Sequence, residues 1–149
     1  MTINMRTRTL LLAIVSFIAS PSFSRAADPF ADTCDAVNSK MVKLFGAGGF
    51  QRLNSFGTGI VISPDGHILT AANQLLDTSE LVVHLYDGRR LRAEVIAMEP
   101  ELDAAILRIK IEGKKSTEPT GLDLPFFDFA AEVKRKPAEP GDWILGFSN

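Results

Sequence analysis

Gly57-Thr58-Gly59-Ile60-Val61-Ile62-Ser63-Pro64-Asp65-Gly66 runs directly into His67-Ile68-Leu69-Thr70-Ala71-Ala72-Asn73, and this stretch decides the fold. Gly59 to Ser63 is short, apolar and β-branched, which predicts a strand. Pro64-Asp65-Gly66 predicts a turn, because proline presets φ and glycine accepts φ > 0. His67 to Ala71 is the returning strand, so the stretch reads as a hairpin. It ends in small residues followed by an amide, Thr70-Ala71-Ala72-Asn73.

The period-two pattern continues downstream. Leu81 to Tyr86 is β-rich and runs into Asp87-Gly88, a strong hairpin signal. Leu91 to Ala97 alternates apolar with polar, Asp103 to Ile111 reads as a further strand, and Asp142 to Phe147 as a last one entered by Pro140-Gly141. Residues 112–121 are charged and turn-rich and predict a surface loop. Short strands at hairpin spacing predict an all-β fold, an antiparallel β-barrel or sandwich rather than βαβ units. Upstream, Val37, Met41, Val42, Leu44 and Phe45 recur near helical spacing, which predicts a lead-in helix over 28–45. Asp32 or Thr33 could cap it, and the Gly46-Ala47-Gly48-Gly49 breaker would end it.

The N-terminus reads as a targeting signal, with an uncleaved anchor as the alternative. Arg6 and Arg8 precede an apolar run from Leu10 to Ala19, and Ser24-Arg25-Ala26 offers a cleavage site after Ala26. The apolar run is too short to span a hydrocarbon core of about 30 Å. Cleavage would remove Arg6, Arg8 and Arg25 and no acids, lowering the formal charge from −2 to −5. The expected product is exported, periplasmic or extracellular, with no membrane attachment after cleavage. Its acidity and the lack of a Lys/Arg stripe argue against nucleic acid. Lys134-Arg135-Lys136 reads as a solvated loop. Cys34 is the single cysteine, so no internal disulfide is expected. The two histidines, one cysteine and scattered acids show no metal-ligand spacing and imply no cofactor; Asp65-Gly66 and Asp87-Gly88 are turn chemistry.

Four pieces occur in order: Gly57 to Thr70, Asp87-Gly88-Arg89, Asp103-Ala104-Ala105-Ile106-Leu107-Arg108-Ile109, and Gly141-Asp142-Trp143. Together they resemble the first half of an HtrA/Deg-type trypsin-like serine protease over residues 55–149. The resemblance implies the N-terminal antiparallel barrel of a two-barrel fold. The expected organisation is a signal peptide over 1–26, a lead-in helix and glycine-rich linker over 27–54, and a barrel over 55–149. Because the chain stops directly after the Asp142–Phe147 strand, a truncated two-barrel protein is expected.

In this family a serine attacks the carbonyl, a histidine takes its proton and an aspartate orients the imidazole. The resemblance places the orienting aspartate at Asp103; read by itself, Asp103 is a polar residue opening a strand. It places the histidine at Asn73. An amide has no titratable nitrogen near neutral pH and cannot be a general base. A one-residue slip gives Gln74, which fails for the same reason. His67 lies six residues back along an extended chain, near 20 Å at roughly 3.3 Å per residue. His84 sits inside a strand between Val83 and Leu85, and both histidines read as structural or surface residues. The family's Gly-Asn-Ser-Gly-Gly nucleophile segment, around which its oxyanion hole is built, does not occur here, and Ser55 precedes the first predicted strand.

The resemblance with these substitutions implies a non-catalytic homologue that binds peptide or unfolded protein segments or assembles with partners. Its barrel face toward the second barrel would expose apolar surface suited to homo-oligomer formation. Two alternatives stay open: a fragment of an active serine endopeptidase, and an exported β-barrel binding module unrelated to proteases. Gly146-Phe147-Ser148-Asn149 also resembles the start of the α/β-hydrolase nucleophile elbow, but the strands before it lack the helices that such a sheet needs.

Overall fold

A computed structural model describes residues 30–47, 55–115, 117–132 and 136–148. The predicted signal peptide over 1–26, with Gly48 and Gly49 of the breaker, lies outside them. Asp32–Asn149 clusters as one compact unit. Helix α1 (Ala31–Asn38) leads into six strands, β1 (Met41–Gly46), β2 (Ser55–Val61), β3 (His67–Thr70), β4 (Leu81–His84), β5 (Arg90–Glu99) and β6 (Ala104–Lys110), with a short helix α2 at Phe129–Glu132. The strands close into a barrel in the order β1-β2-β3-β6-β5-β4, and every neighbouring pair is antiparallel. The all-β barrel with an N-terminal lead-in helix is therefore present.

Two element boundaries differ from expectation. The helix predicted over 28–45 stops at Asn38, where Ser39 N–H donates to Asp35 O and Lys40 N–H to Val37 O. The chain then becomes β1, which pairs with β2 on one side and β4 on the other. Two ladders of backbone hydrogen bonds outweigh a local spacing that also fits a helix. Val42 and Leu44 are fully buried inside the barrel. The barrel thus begins inside the segment read as lead-in helix and linker. Conversely, Asp142 to Phe147 forms no strand, and Trp143 and Ile144 are each 83% exposed. The closed barrel leaves it no open edge to join.

The predicted hairpin is present. Ile60 faces Leu69 and Val61 faces Ile68, and the turn closes through Gly66 N–H to Ser63 O. Gly66 takes φ +84°, and Ile109 packs where a side chain would stand. Inward residues alternate along the strands: Val42 and Leu44, Leu81 and Val83, and Ala105, Leu107 and Ile109. The segment after β6 lies against the hairpin. Thr120 Oγ1 donates to Asp65 O, Leu124 N–H to Pro64 O and Phe127 N–H to Val61 O. Leu124 is buried against the same core.

Leu107 is fully buried at the centre of β6, opposite Ile68 and Val95. Leu107→Ala is expected to lower the unfolding free energy by about 2–5 kcal/mol, measured by urea denaturation. A loss below 1 kcal/mol would show that this core is not packed as described.

Candidate functional site

Asn73 and Asp103 meet at one end of the β3–β6 ladder. β3 leaves the sheet at Thr70, which faces Ala105 of β6. The antiparallel direction therefore brings the residues after Thr70 beside those that precede Ala104. The two stretches are joined through the backbone, Ala72 N–H donating to Asp103 O at 3.3 Å. Thr70 Oγ1 ties the corner to β2 by donating to Thr58 O at 2.9 Å.

Asn73 is exposed and caps a single 3-10 turn, Gln74–Leu76. Its Oδ1 accepts from Leu75 N–H at 3.0 Å, satisfying a donor that the turn itself cannot pair. Leu75 and Leu76 enter the core behind it. Gly46 fixes this turn from β1: a Cβ there would run into the Leu75 carbonyl, and Ala47 N–H donates to that carbonyl at 3.0 Å. Gly46 had the sequence signature of a chain breaker. Its role is a close backbone approach that seats the loop carrying Asn73.

Asp103 is exposed and stands in the left-handed region at φ 49°, ψ 41°, ending the 3-10 turn Pro100–Leu102. Aspartate tolerates this conformation better than most residues. The Asp103 position thus has a backbone requirement apart from any chemistry of its carboxylate. The Pro100-Glu101-Leu102-Asp103 composition was the available signal for that turn.

Neither histidine belongs to this corner. His67 opens β3 at its far end, with Nδ1 at 2.7 Å from Ser63 Oγ, and its N–H donates to the same oxygen at 3.1 Å. This closes the Ser63–Gly66 turn. His84 lies on the outer face of β4, its ring 4.4 Å from that of Phe45. Its pKa is held below the ordinary histidine value, first by burial and then by the charges of Arg90 and Lys43. Ser55 faces Gly46 where β2 begins. Among the described residues no group of three His, Cys, Asp or Glu side chains is placed to hold a metal ion.

The barrel with this corner has clear relatives. Residues 57–149 match the trypsin-like peptidase domain family. The chain belongs to the HtrA-type trypsin-like peptidases. A protein of Pseudomonas fulva named "Probable periplasmic serine endoprotease DegP-like" is 41% identical over 105 residues, 70% of this chain and 19% of the relative. A protein of the same name from Chlamydia pneumoniae is 33% identical over 93 residues, 62% of this chain and 16% of the relative. The chain therefore spans less than a fifth of these relatives' length. Among solved structures, the HtrA-type protease AlgW with a tripeptide superposes with a TM-score of 0.52 at 22% identity, covering 66% of this chain and 29% of that one. That likeness supports the trypsin-like barrel fold.

The backbone requirement at Asp103 is directly testable. Asp103→Val puts a β-branched side chain in the left-handed region and is expected to cost about 1–2 kcal/mol, whereas Asp103→Gly keeps the conformation and stays closer to wild type. Urea denaturation of the two variants checks this ordering; equal losses would mean that the turn relaxes out of the left-handed region.

Proposed function

We propose that this protein is a non-catalytic HtrA-type homologue, exported after cleavage behind Ala26, that binds peptide or unfolded protein segments and assembles through its barrel. The observation that carries the reading is Asn73. The resemblance puts the general base there, an amide cannot take a proton, and its oxygen already accepts from Leu75 N–H. Loss of the histidine from such a triad lowers turnover on the order of 10⁶-fold. Asp103, at the orienting-acid position, would then have no imidazole to orient. The periplasmic location in the relatives' names supports export, and the tripeptide in the solved HtrA-type structure supports a peptide as ligand.

The full product of the gene, with any residues that follow Asn149, tests the catalytic half of this reading. Offered unfolded casein and a fluorophosphonate probe, it is expected to show neither cleavage nor serine labelling. Casein turnover abolished by mutating a labelled serine would overturn the non-catalytic reading and favour an active endopeptidase.

Assembly is supported by an apolar strip on β5. The ladder slips between Val95 and Ala97, and this bulge leaves Val95, Ile96 and Met98 38–47% exposed, close to Leu102 at 76%. Such a strip beside the Asn73–Asp103 corner suits a second subunit or partner. Wild-type protein is expected to sediment as an oligomer and Ile96→Lys/Met98→Lys as a smaller species. A wild type that stays monomeric at tens of micromolar would refute this half.

A further inference from the structure

On the side of the barrel formed by β1, β4 and β5, cations gather in one row. Lys43 of β1 faces His84 of β4, and His84 faces Arg90 of β5. Adjacent strands lie about 4.8 Å apart, so the row spans about 10 Å. Two residues along each strand, a second row lies beside it: Phe56 of β2 faces Phe45 of β1, and Phe45 faces Val82 of β4. The rows touch. Lys43 Nζ stands 4.7 Å from the centre of the Phe56 ring, and the Phe45 and His84 rings are 4.4 Å apart. Phe56 is 60% exposed, so the apolar row is open to solvent at its β2 end.

The acids on this side are already engaged. Asp87 pairs with Arg89 at 2.6 Å, Glu80 with Arg92 at 3.3 Å and Glu94 with Lys110 at 3.3 Å. Among the described residues no ion pair takes Lys43 or Arg90. The chain carries a net charge of −2, so this positive row is a local feature and not a reflection of overall charge. His84 registers the same excess: burial, Arg90 and Lys43 all oppose its protonation.

We propose that this double row binds an extended peptide in which acidic residues alternate with apolar ones. Laid edge-on along the boundary between the two rows, an extended chain sends residues i and i+2 to one side, about 6.6–6.8 Å apart, and the residues between and beside them to the other, so two carboxylates can bracket His84 between Lys43 and Arg90. The alternate apolar side chains then rest on the Phe56–Phe45–Val82 row. A polyphosphate or nucleic-acid backbone would engage the cations and leave the apolar row without a partner, which is why a peptide is the better occupant. The site is separate from the Asn73–Asp103 corner and does not depend on whether that corner is catalytic.

The test is fluorescence anisotropy with the full chain and a labelled peptide alternating Glu with Leu and Phe. The Glu peptide is expected to bind at low salt at least tenfold more tightly than the same peptide with Gln for Glu. Lys43→Gln/Arg90→Gln should remove that preference, and Phe56→Ser should weaken binding several-fold. Both act on side chains outside the core, and thermal melts confirm that the variants fold. A bound carboxylate beside His84 favours the imidazolium against Arg90 of β5 and Lys43 of β1, the charged groups facing it. Affinity should therefore rise as pH falls from 7.5 to 5.5, and His84→Gln should abolish this rise. Equal affinity for the Gln peptide, unchanged binding by the double variant, or polyphosphate binding that displaces the peptide and ignores Phe56→Ser would each overturn the proposal.

Discussion

The pairing of β1 with both β2 and β4 is the constraint on which the rest of the molecule depends. Leu44 faces Gly57 on one side and Val83 on the other, so Met41–Gly46 converts an open sheet into a barrel. Closure removes the sheet's edges and buries Val42 and Leu44 against β3, β4 and β6. The same register sets two outward consequences. It brings Gly46 against the Leu75 carbonyl, and it brings Lys43 beside His84. A one-residue slip of β1 would turn Val42 and Leu44 outward and undo both.

The corner at the end of the β3–β6 ladder is fixed by the backbone. A position just beyond an antiparallel ladder is held by backbone geometry, here Ala72 N–H to Asp103 O, rather than by the side chains displayed there. Asn73 serves that geometry as a cap, and Asp103 serves it by accepting φ 49°. Both residues therefore have structural reasons for their identities. The cap constrains the kind of atom at residue 73 and not its pKa, because it needs only a lone pair to accept from Leu75 N–H.

Much of this was legible in the chain. The β2–β3 hairpin, β4, β5 and β6 each announce themselves by apolar or period-two runs, with Pro64-Asp65-Gly66 and Asp87-Gly88 marking two of the turns, and the amide at Asn73 is visible in the residue itself. β1 was not, because Met41-Val42-Lys43-Leu44-Phe45 is apolar at positions that satisfy a helical and an extended pattern alike. Its state is set by pairing with β2 and β4, which lie outside the local stretch. Asp142 to Phe147 misled in the opposite direction, since its local composition is that of a strand while a closed barrel has no edge to offer. The cap at Asn73 and the left-handed turn at Asp103 depend on where Gly46 and Ala72 come to lie, which local sequence does not encode.

The placement of charge follows from the same closure. On an open sheet, Lys43 and Arg90 would sit on strands free to diverge, and repulsion across His84 could relax by movement of either edge. In the barrel, β1, β4 and β5 are locked by hydrogen-bonded neighbours on both sides. The repulsion can relax only through the side chains, by protonation equilibria or by an anion from outside. Lys43 leans onto Phe56 and Phe45, an attraction of about 0.5–1 kcal/mol for exposed cation–π pairs. That is too weak to neutralise a lysine, and it leaves the ammonium beside an open aromatic surface. A rigid sheet that holds like charges together next to apolar rings is preorganised for a ligand carrying both features, because the cost of assembling the site is met when the barrel folds.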